Sequence, residues 1–196
     1  MKSRNVWQLV CAVLLAGLAS AATAQWELDS QHSTVNFVSV KNGSIAEVHR
    51  FESLVGFINE VGELQVAIDL DSVETLIPIR NERMRALFFN TASFPTATVT
   101  ATVEPALLEA LSEAGTVTTE LPVKLSLHGM QKDVVVPVTA FGQGQGTLRV
   151  FSSQPFILQA GDFNLESGVE ALRQVAGLKS ISTAVPVTLN LLFRRG

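Results

Sequence analysis

Acidic, histidine and serine side chains lie close together near the start of the chain, at Asp29, His32 and Ser33. These are the residue types of a Ser-His-Asp triad, in which the histidine is held between two partners that normally come from distant segments. Three residues within one strand-entry turn do not provide that geometry. A local capping network is therefore the better interpretation, and nucleophilic catalysis is the weaker one.

The three histidines, His32, His49 and His128, are isolated from one another. No two of them lie within four residues, so a local pair of metal ligands is missing. The single cysteine, Cys11, lies in an N-terminal apolar run, and the sequence contains no glycine-rich phosphate loop, GxSxG or HExxH. We therefore predict no metal, no cofactor and no catalytic residue.

The densest charge in the chain lies in the segment Arg80-Asn81-Glu82-Arg83-Met84-Arg85. Such a segment is most often a solvated helix face on which the acidic residue pairs with its neighbours. The functional alternative is that an arginine faces an anionic head group at the mouth of a cavity, because a guanidinium binds phosphate through a fork of donors. Both interpretations stay open at this point.

Composition limits the class of partner. The 196 residues suit one domain, and 47% hydrophobic against 16% charged residues provide a large core. The formal charge is −4, and no run of lysine or arginine occurs. These properties argue against nucleic acid or an anionic membrane surface as the main partner, since both require a basic surface.

The first 24 residues have the pattern of a cleaved secretory signal. Lys2 and Arg4 precede an apolar run over residues 6–19, and Ala22-Thr23-Ala24 supplies small residues before Gln25. We therefore predict a signal peptide over residues 1–24 and a single domain over 25–196, exported from the cytoplasm. No later apolar stretch approaches the ~20 residues of a membrane span.

After the signal, apolar residues recur at every second position. Four segments show strict alternation, which is typical of half-buried strands: residues 63–70, 96–103, 121–127 and 185–193. Weaker strand candidates are residues 34–40, 48–57, 134–141 and 147–159, separated by turn sequences such as Asn42-Gly43 and His128-Gly129.

The elements together predict an all-β domain with helical insertions. About eight strands joined by short turns favour antiparallel pairing in a closed barrel or a sandwich. Three segments break the alternation and are predicted as short helices: residues 79–90, 105–114 and 169–176. An eight-stranded barrel can be filled by its own side chains or hold one small ligand, and composition does not decide between the two.

Five stretches follow one another in the order of a known family: Trp26–Phe37, Phe51–Phe57, Ile79–Pro95, Leu125–Lys132 and Asp162-Phe163. The first fits W-x-x-D-x-x-H-S-x-(V/I)-x-F, and the fourth fits L-x-L-H-G-(V/M)-x-K. Together they resemble the YceI-like family of exported bacterial lipid-binding proteins, over essentially the whole chain after residue 24.

The resemblance implies a lipocalin-like, eight-stranded antiparallel β-barrel, located in the periplasm, with an apolar pore for a polyisoprenoid or similar amphiphilic lipid. It implies a carrier without catalytic turnover. Family members of this shape can form homodimers, but no segment here marks a dimer face. We predict an apolar wall of Phe37, Val66, Ile68, Val99, Leu125, Leu127 and Phe156, and a polar mouth of His32, Arg80 and Arg83.

Two alternatives to the carrier remain. One is an enzyme that modifies a lipid in the same pore through His32 or Asp162, which requires a titratable group facing the cavity. The other is a filled barrel that acts as an interaction module. An interior occupied by side chains would favour the module over the other two.

Overall fold

Twelve strands and three α-helices form within residues 24–112 and 114–196, which the computed structural model describes. The strands are β1 (Ala24–Leu28), β2 (Thr34–Lys41), β3 (Ile45–Phe51), β4 (Leu54–Asn59), β5 (Glu63–Asp69), β6 (Val73–Glu74), β7 (Thr96–Thr102), β8 (Thr116–Leu127), β9 (Met130–Gly144), β10 (Thr147–Ser152), β11 (Phe156–Gln159) and β12 (Ala184–Arg195). The helices are α1 (Pro78–Arg83), α2 (Pro105–Ser112) and α3 (Glu166–Val175), and α1 continues into a π-helical turn (Met84–Phe89).

The strands close into an eight-stranded antiparallel barrel. Some neighbouring strands are parts of one long strand that is interrupted by a short break. β1 and β2 pair with the same side of β12, while β4 pairs with β1 and β3 pairs with β2. β10 and β11 likewise share the other side of β12. Pairing of β1 with β12, from Trp26 opposite Arg195 to Leu28 opposite Phe193, completes the ring. The predicted all-β, eight-stranded barrel is confirmed, and the sandwich is excluded.

Alternation decides which side chains face inward. In β5, Val66 and Ile68 are buried, whereas Glu63, Gln65 and Asp69 face outward. The same period of two runs through the neighbouring strands, since successive residues of a strand point to opposite faces. The apolar faces of all strands therefore meet inside the barrel.

Two predicted strands are each split in the structure. The segment 48–57 breaks at Glu52 and Ser53, whose backbone N–H groups both donate to the Ser72 hydroxyl, at 3.2 and 3.0 Å. The segment 147–159 breaks before β11, where Pro155 has no N–H to donate to a neighbouring strand. The three predicted helices form, with ends that differ by a few residues from the predicted ones.

The two ends of the barrel are closed differently. The lower end carries the β4–β5 and β9–β10 turns, and α2 fills it with the buried Leu108 and Leu111. The upper end carries the β2–β3 and β8–β9 turns and is covered by α1, the π-helical turn and α3. In α3, Gly168 lets the π-helical turn approach so closely that an added Cβ would lie 2.9 Å from the Phe88 Cα.

No helix in the described part of the chain is long and apolar enough to cross a membrane. The predicted signal peptide, residues 1–24, lies outside the described residues except for Ala24, the first residue of β1.

Replacing Gly142 with alanine tests how the lower end is closed. A Cβ at this position would lie 1.8 Å from the Leu111 carbonyl oxygen of α2, so the backbone must shift. We expect the free energy of unfolding in urea to fall by about 1–3 kcal/mol, the usual cost of overpacking. Without such a contact, alanine inside a strand stabilises a protein relative to glycine. A free energy of unfolding of G142A that is equal to or greater than that of the unchanged protein would therefore contradict this packing of α2.

Candidate ligand-binding site

A continuous apolar cavity of about 220 Å³ runs inside the barrel. Its 37 lining residues come from all eight long strands, from the π-helical turn, from α3 and from the connecting segments around residues 70, 160–165 and 181–182. A water-sized sphere needs about 10–15 Å³ of such volume, so the cavity has room for roughly fifteen to twenty. The interior is therefore not filled by the protein's own side chains.

All seven residues predicted for the apolar wall line this cavity: Phe37, Val66, Ile68, Val99, Leu125, Leu127 and Phe156. Each lies on the inward face of its strand, because the alternation of the sequence is preserved in the pleat. Ligand contact at these positions stays a prediction.

Polar groups reach the cavity only near its upper end, as far as the structure describes the wall. The polar lining residues are Ser39, Gln159 and Ser182, and none of the 37 lining residues is charged. The three lie around the start of β12: Gln159 pairs with Ala184, and the Ser182 N–H donates to the Val40 carbonyl at 2.8 Å. The cavity thus has an apolar length and one weakly polar end.

Ser39 is connected to a buried histidine. The Ser39 Oγ lies 2.8 Å from the Nε2 atom of His49, which is 4% exposed on the neighbouring strand β3. Burial, and to a smaller extent the positive charge of Arg80, lowers the pKa of His49 to about 4. His49 is therefore neutral at pH 7. The Nδ1 atom of His49 has no hydrogen-bond partner among the described residues.

A cluster of charged side chains lies close to Ser39 and His49, on residues that do not line the cavity. The Glu47 Oε2 accepts from Lys41 Nζ at 2.6 Å and from Arg80 Nη1 at 2.7 Å. The hydrogen bond from Lys41 is the main cause that lowers the pKa of Glu47. Arg80 Nη2 also donates to the Thr75 carbonyl at 2.6 Å. Lys41 and two nitrogens of the Arg80 guanidinium are therefore engaged with protein acceptors, whereas the buried Arg80 Nε has no hydrogen-bond partner among the described residues.

None of the three residues predicted for the polar mouth lines the cavity. Arg80 is half-buried and forms an ion pair with Glu47, the residue opposite Ser39 in the pairing of β2 with β3. Arg83, one helical turn later on α1, is half-buried and likewise absent from the wall. Contact of Arg80 or Arg83 with the head group of a ligand stays a prediction.

His32 lies far from the upper end, in the break between β1 and β2, and is exposed. Its Nδ1 is 3.0 Å from Asp29 Oδ2, which also accepts from Arg194 Nε at 2.7 Å. The hydrogen bond from Arg194, followed by that from His32, lowers the pKa of Asp29 to about 2. The Ser33 hydroxyl accepts from the Leu192 N–H at 2.9 Å. These contacts are a capping network, as predicted, and place His32 away from the mouth.

The arrangement offers hydrogen bonding and little acid–base chemistry. His32 and Asp162, the two residues considered for catalysis, do not line the cavity, and Asp162 is exposed 3.9 Å from Lys132. His49 is a weak base at pH 7 because its pKa is low. No group of three or more His, Asp or Glu side chains able to hold a metal occurs in the described segments.

Sequence reasoning missed Ser39, Gln159 and Ser182. The signal for Ser39 was available, since it shares its strand face with Val35 and Phe37. Ser182 and Gln159 lie in or beside irregular segments, where alternation does not report which way a side chain points.

Comparison with known proteins decides the family. Residues 26–193 match the family model described as "YceI-like domain". The chain belongs to the YceI-like family. A comparison with curated proteins gives no match.

Solved structures of this family share the barrel. A polyisoprenoid binding domain from Saccharophagus degradans, implicated in plant cell wall breakdown, has 36% identity and a TM-score of 0.86, covering 89% of this chain and 100% of its own. Burkholderia cenocepacia BcnA has 19% identity and a TM-score of 0.64, covering 84% and 98%. The Campylobacter jejuni YCEI protein has 15% identity and a TM-score of 0.55, covering 76% and 84%. The last two support the fold alone.

The low pKa of His49 makes stability depend on pH in a defined direction. Between the ordinary value of 6.5 and about 4, the unfolded chain binds a proton at His49 that the folded chain does not. We therefore expect the free energy of unfolding to fall as pH decreases through this window, and H49Q to remove part of that slope. Urea unfolding at several pH values and NMR titration of His49 measure both effects; a titration at 6.5 or above would contradict the burial of this ring.

Proposed function

We propose that this YceI-like protein is a carrier that holds a polyisoprenoid or similar amphiphilic lipid in the apolar cavity of its barrel. The observation that supports this most is a long cavity whose wall is uncharged and almost wholly apolar within the described residues. The Saccharophagus degradans domain, similar over its full length, is a polyisoprenoid binding domain, which favours the same ligand class here.

Removal of hydrocarbon from water would drive binding. Burial of one methylene contributes about 0.8 kcal/mol, but large flexible ligands retain only about 0.3 kcal/mol per atom once their own ordering is included. A ligand of a few tens of carbons would therefore still bind tightly. The polar residues near the upper end are too few to supply much of the affinity, so they act on orientation.

The alternatives have less support. A filled barrel acting as an interaction module does not explain a cavity of about 220 Å³. A lipid-modifying enzyme requires an acid or base at the wall, and neither His32 nor Asp162 lies there. The family and its polyisoprenoid-binding neighbour also point to a binding protein rather than to an enzyme.

The proposal includes a place in the cell. Residues 1–24 have the pattern of a cleaved signal, so we propose export to the periplasm and a mature domain of residues 25–196. In the aqueous compartment between two membranes, an apolar cavity would allow a carrier to keep a lipid away from water.

Lipid extraction tests the proposal directly. The protein, purified from the cells that produce it, is extracted with organic solvent and the extract is analysed by mass spectrometry. We expect an isoprenoid-like lipid in amounts approaching one per chain, and uptake of added polyisoprenoid by extracted protein. Repeated recovery of no lipid, together with no uptake, would reject the carrier role.

Two neighbouring substitutions on β9 make the test specific to the cavity. Val136 lines the cavity, whereas Val135 is 53% exposed on the outer face of the same strand. Because V136F fills part of the cavity, we expect it to reduce bound lipid at least severalfold, while the control V135F retains it. Equal loss in both variants, or in neither while both remain folded, would contradict binding inside the barrel.

A further inference from the structure

The wall of the barrel is interrupted between β9 and β11. β10 pairs with β9 as far as Ser152 opposite Val138, and the Ser153 N–H donates to the Pro137 carbonyl at 2.9 Å. β11, which continues the wall, pairs with β12 but not with β9 in the described part of the chain. Residues 130–136 of β9 pair with β8 on their other side. Side chains, and not a ladder of backbone hydrogen bonds, therefore close this β9–β11 gap.

Two prolines mark the start of the β9–β11 gap, one on each side. Pro137 lies in β9 and Pro155 directly precedes β11. Neither has a backbone N–H, so neither can donate a hydrogen bond to a neighbouring strand. Proline in a sheet is accordingly confined to edge strands, strand starts and bulges. The sequence itself therefore favours the loss of pairing at this place.

A cleft on the outer surface follows the gap. Nine residues of β9, β11 and the turn after β11 line it: Lys132, Asp133, Val134, Val135, Phe156, Ile157, Leu158, Asp162 and Phe163. Four of them, Val134, Phe156, Leu158 and Phe163, also line the cavity. The cleft and the cavity thus share one wall of apolar side chains. Displacement of these side chains would connect the cavity with the surface without breaking a pair of strands.

The polar contacts across the gap are weak. Lys132 Nζ on β9 lies 3.9 Å from Asp162 Oδ1 in the turn after β11, and both side chains are about half exposed. Exposed ion pairs of this kind contribute little to stability. The His128 Nδ1 atom lies 3.2 Å from the Phe163 carbonyl oxygen. Separation of β9 from β11 would break these contacts and apolar packing, which costs less than the loss of a strand ladder.

The two ends of the barrel are harder to open. At the lower end, α2 buries Leu108 and Leu111, which are 3% and 2% exposed, so its removal would bring both leucines into water. At the upper end, α3 packs on the π-helical turn, where Gly168 allows close contact with Phe88. Opening either end requires a packed helix to move as a unit.

We propose that lipid enters and leaves the cavity sideways, through the β9–β11 gap, while the paired strands of the barrel stay intact. Val135 and Ile157, which are 53% and 52% exposed on the two sides of the gap, offer an apolar surface to a hydrocarbon chain as it passes. This inference rests on the proposed carrier function and adds the route by which its ligand is exchanged.

A cross-link across the gap tests this route. V135C and I157C are introduced into the mature domain of residues 25–196, which contains no other cysteine, and joined by a short bismaleimide with a cleavable disulfide. Exchange of bound geranylgeraniol for its deuterated form is followed by native mass spectrometry. We expect the cross-link to slow exchange at least tenfold without changing the dissociation constant, and its reductive cleavage to restore the rate.

A second cross-link provides the matched control. Thr118 and Thr139 lie on the paired strands β8 and β9, with their hydroxyl oxygens 2.9 Å apart. The same reagent between T118C and T139C should leave exchange unchanged. Unchanged exchange with the gap cross-linked, or equal slowing by both cross-links, overturns the lateral route alone. Failure of the uncross-linked protein to bind geranylgeraniol contradicts the carrier function itself.

Two lysine substitutions test the gap without a cross-link. Lys132 pairs with Asp162 across the gap, whereas Lys124 pairs with Asp133 across the paired strands β8 and β9, at 3.0 Å. We expect K132A to speed geranylgeraniol exchange about twofold to fivefold, the fold-change that an exposed ion pair corresponds to, at unchanged affinity. K124A should leave the rate unchanged. Equal exchange rates in K132A and K124A overturn the role of the Lys132–Asp162 pair in holding the gap closed.

Discussion

The pairing of the first long strand, formed by β1 and β2, with the last strand, β12, is the interaction on which the barrel depends. Without both of these contacts, the alternating strands would form an open sheet with two apolar edges, a template for aggregation. The seam is firmly packed: Trp26 and Phe193 are both fully buried, and the Arg195 guanidinium carbon lies 6.0 Å from the centre of the Trp26 ring. Since the described chain contains no disulfide or metal to hold the ring together, this pairing and its apolar packing enclose the cavity.

Closure also explains why polarity is confined to one end. Inside a closed ring, inward positions are shielded from water along the length of the wall, so an unpaired polar group there would be costly. Near the upper end the regular pairing gives way to short helices and irregular segments, and hydroxyl or amide groups can find partners. Ser39 with His49 and Ser182 with Ala184 are examples. Under the proposed carrier function, affinity and orientation would depend on different parts of the same cavity.

The fold could be predicted from sequence to a large extent, because period-two alternation is a local property. The alternation puts Val66 and Ile68 on one face of β5, and in the structure both line the cavity. The partners of the residues predicted for the mouth could not be predicted, since they come from segments distant in sequence. His32 occupies a break within a strand, and Arg80 is directed to Glu47, a residue 33 positions earlier. The charged residues 80–85 stand out in the sequence, whereas a polar residue that lines the cavity is the small, uncharged Ser39.

We propose above all that a lipid lies in the apolar cavity inside the barrel. The most direct measurement is electron density in crystals of the protein purified from its own cells without added lipid. Elongated density along the barrel axis, in contact with Val136 and Phe156 and ending near Ser39, is the predicted result. Density for ordered water alone, or an interior collapsed until side chains occupy it completely, would contradict the account.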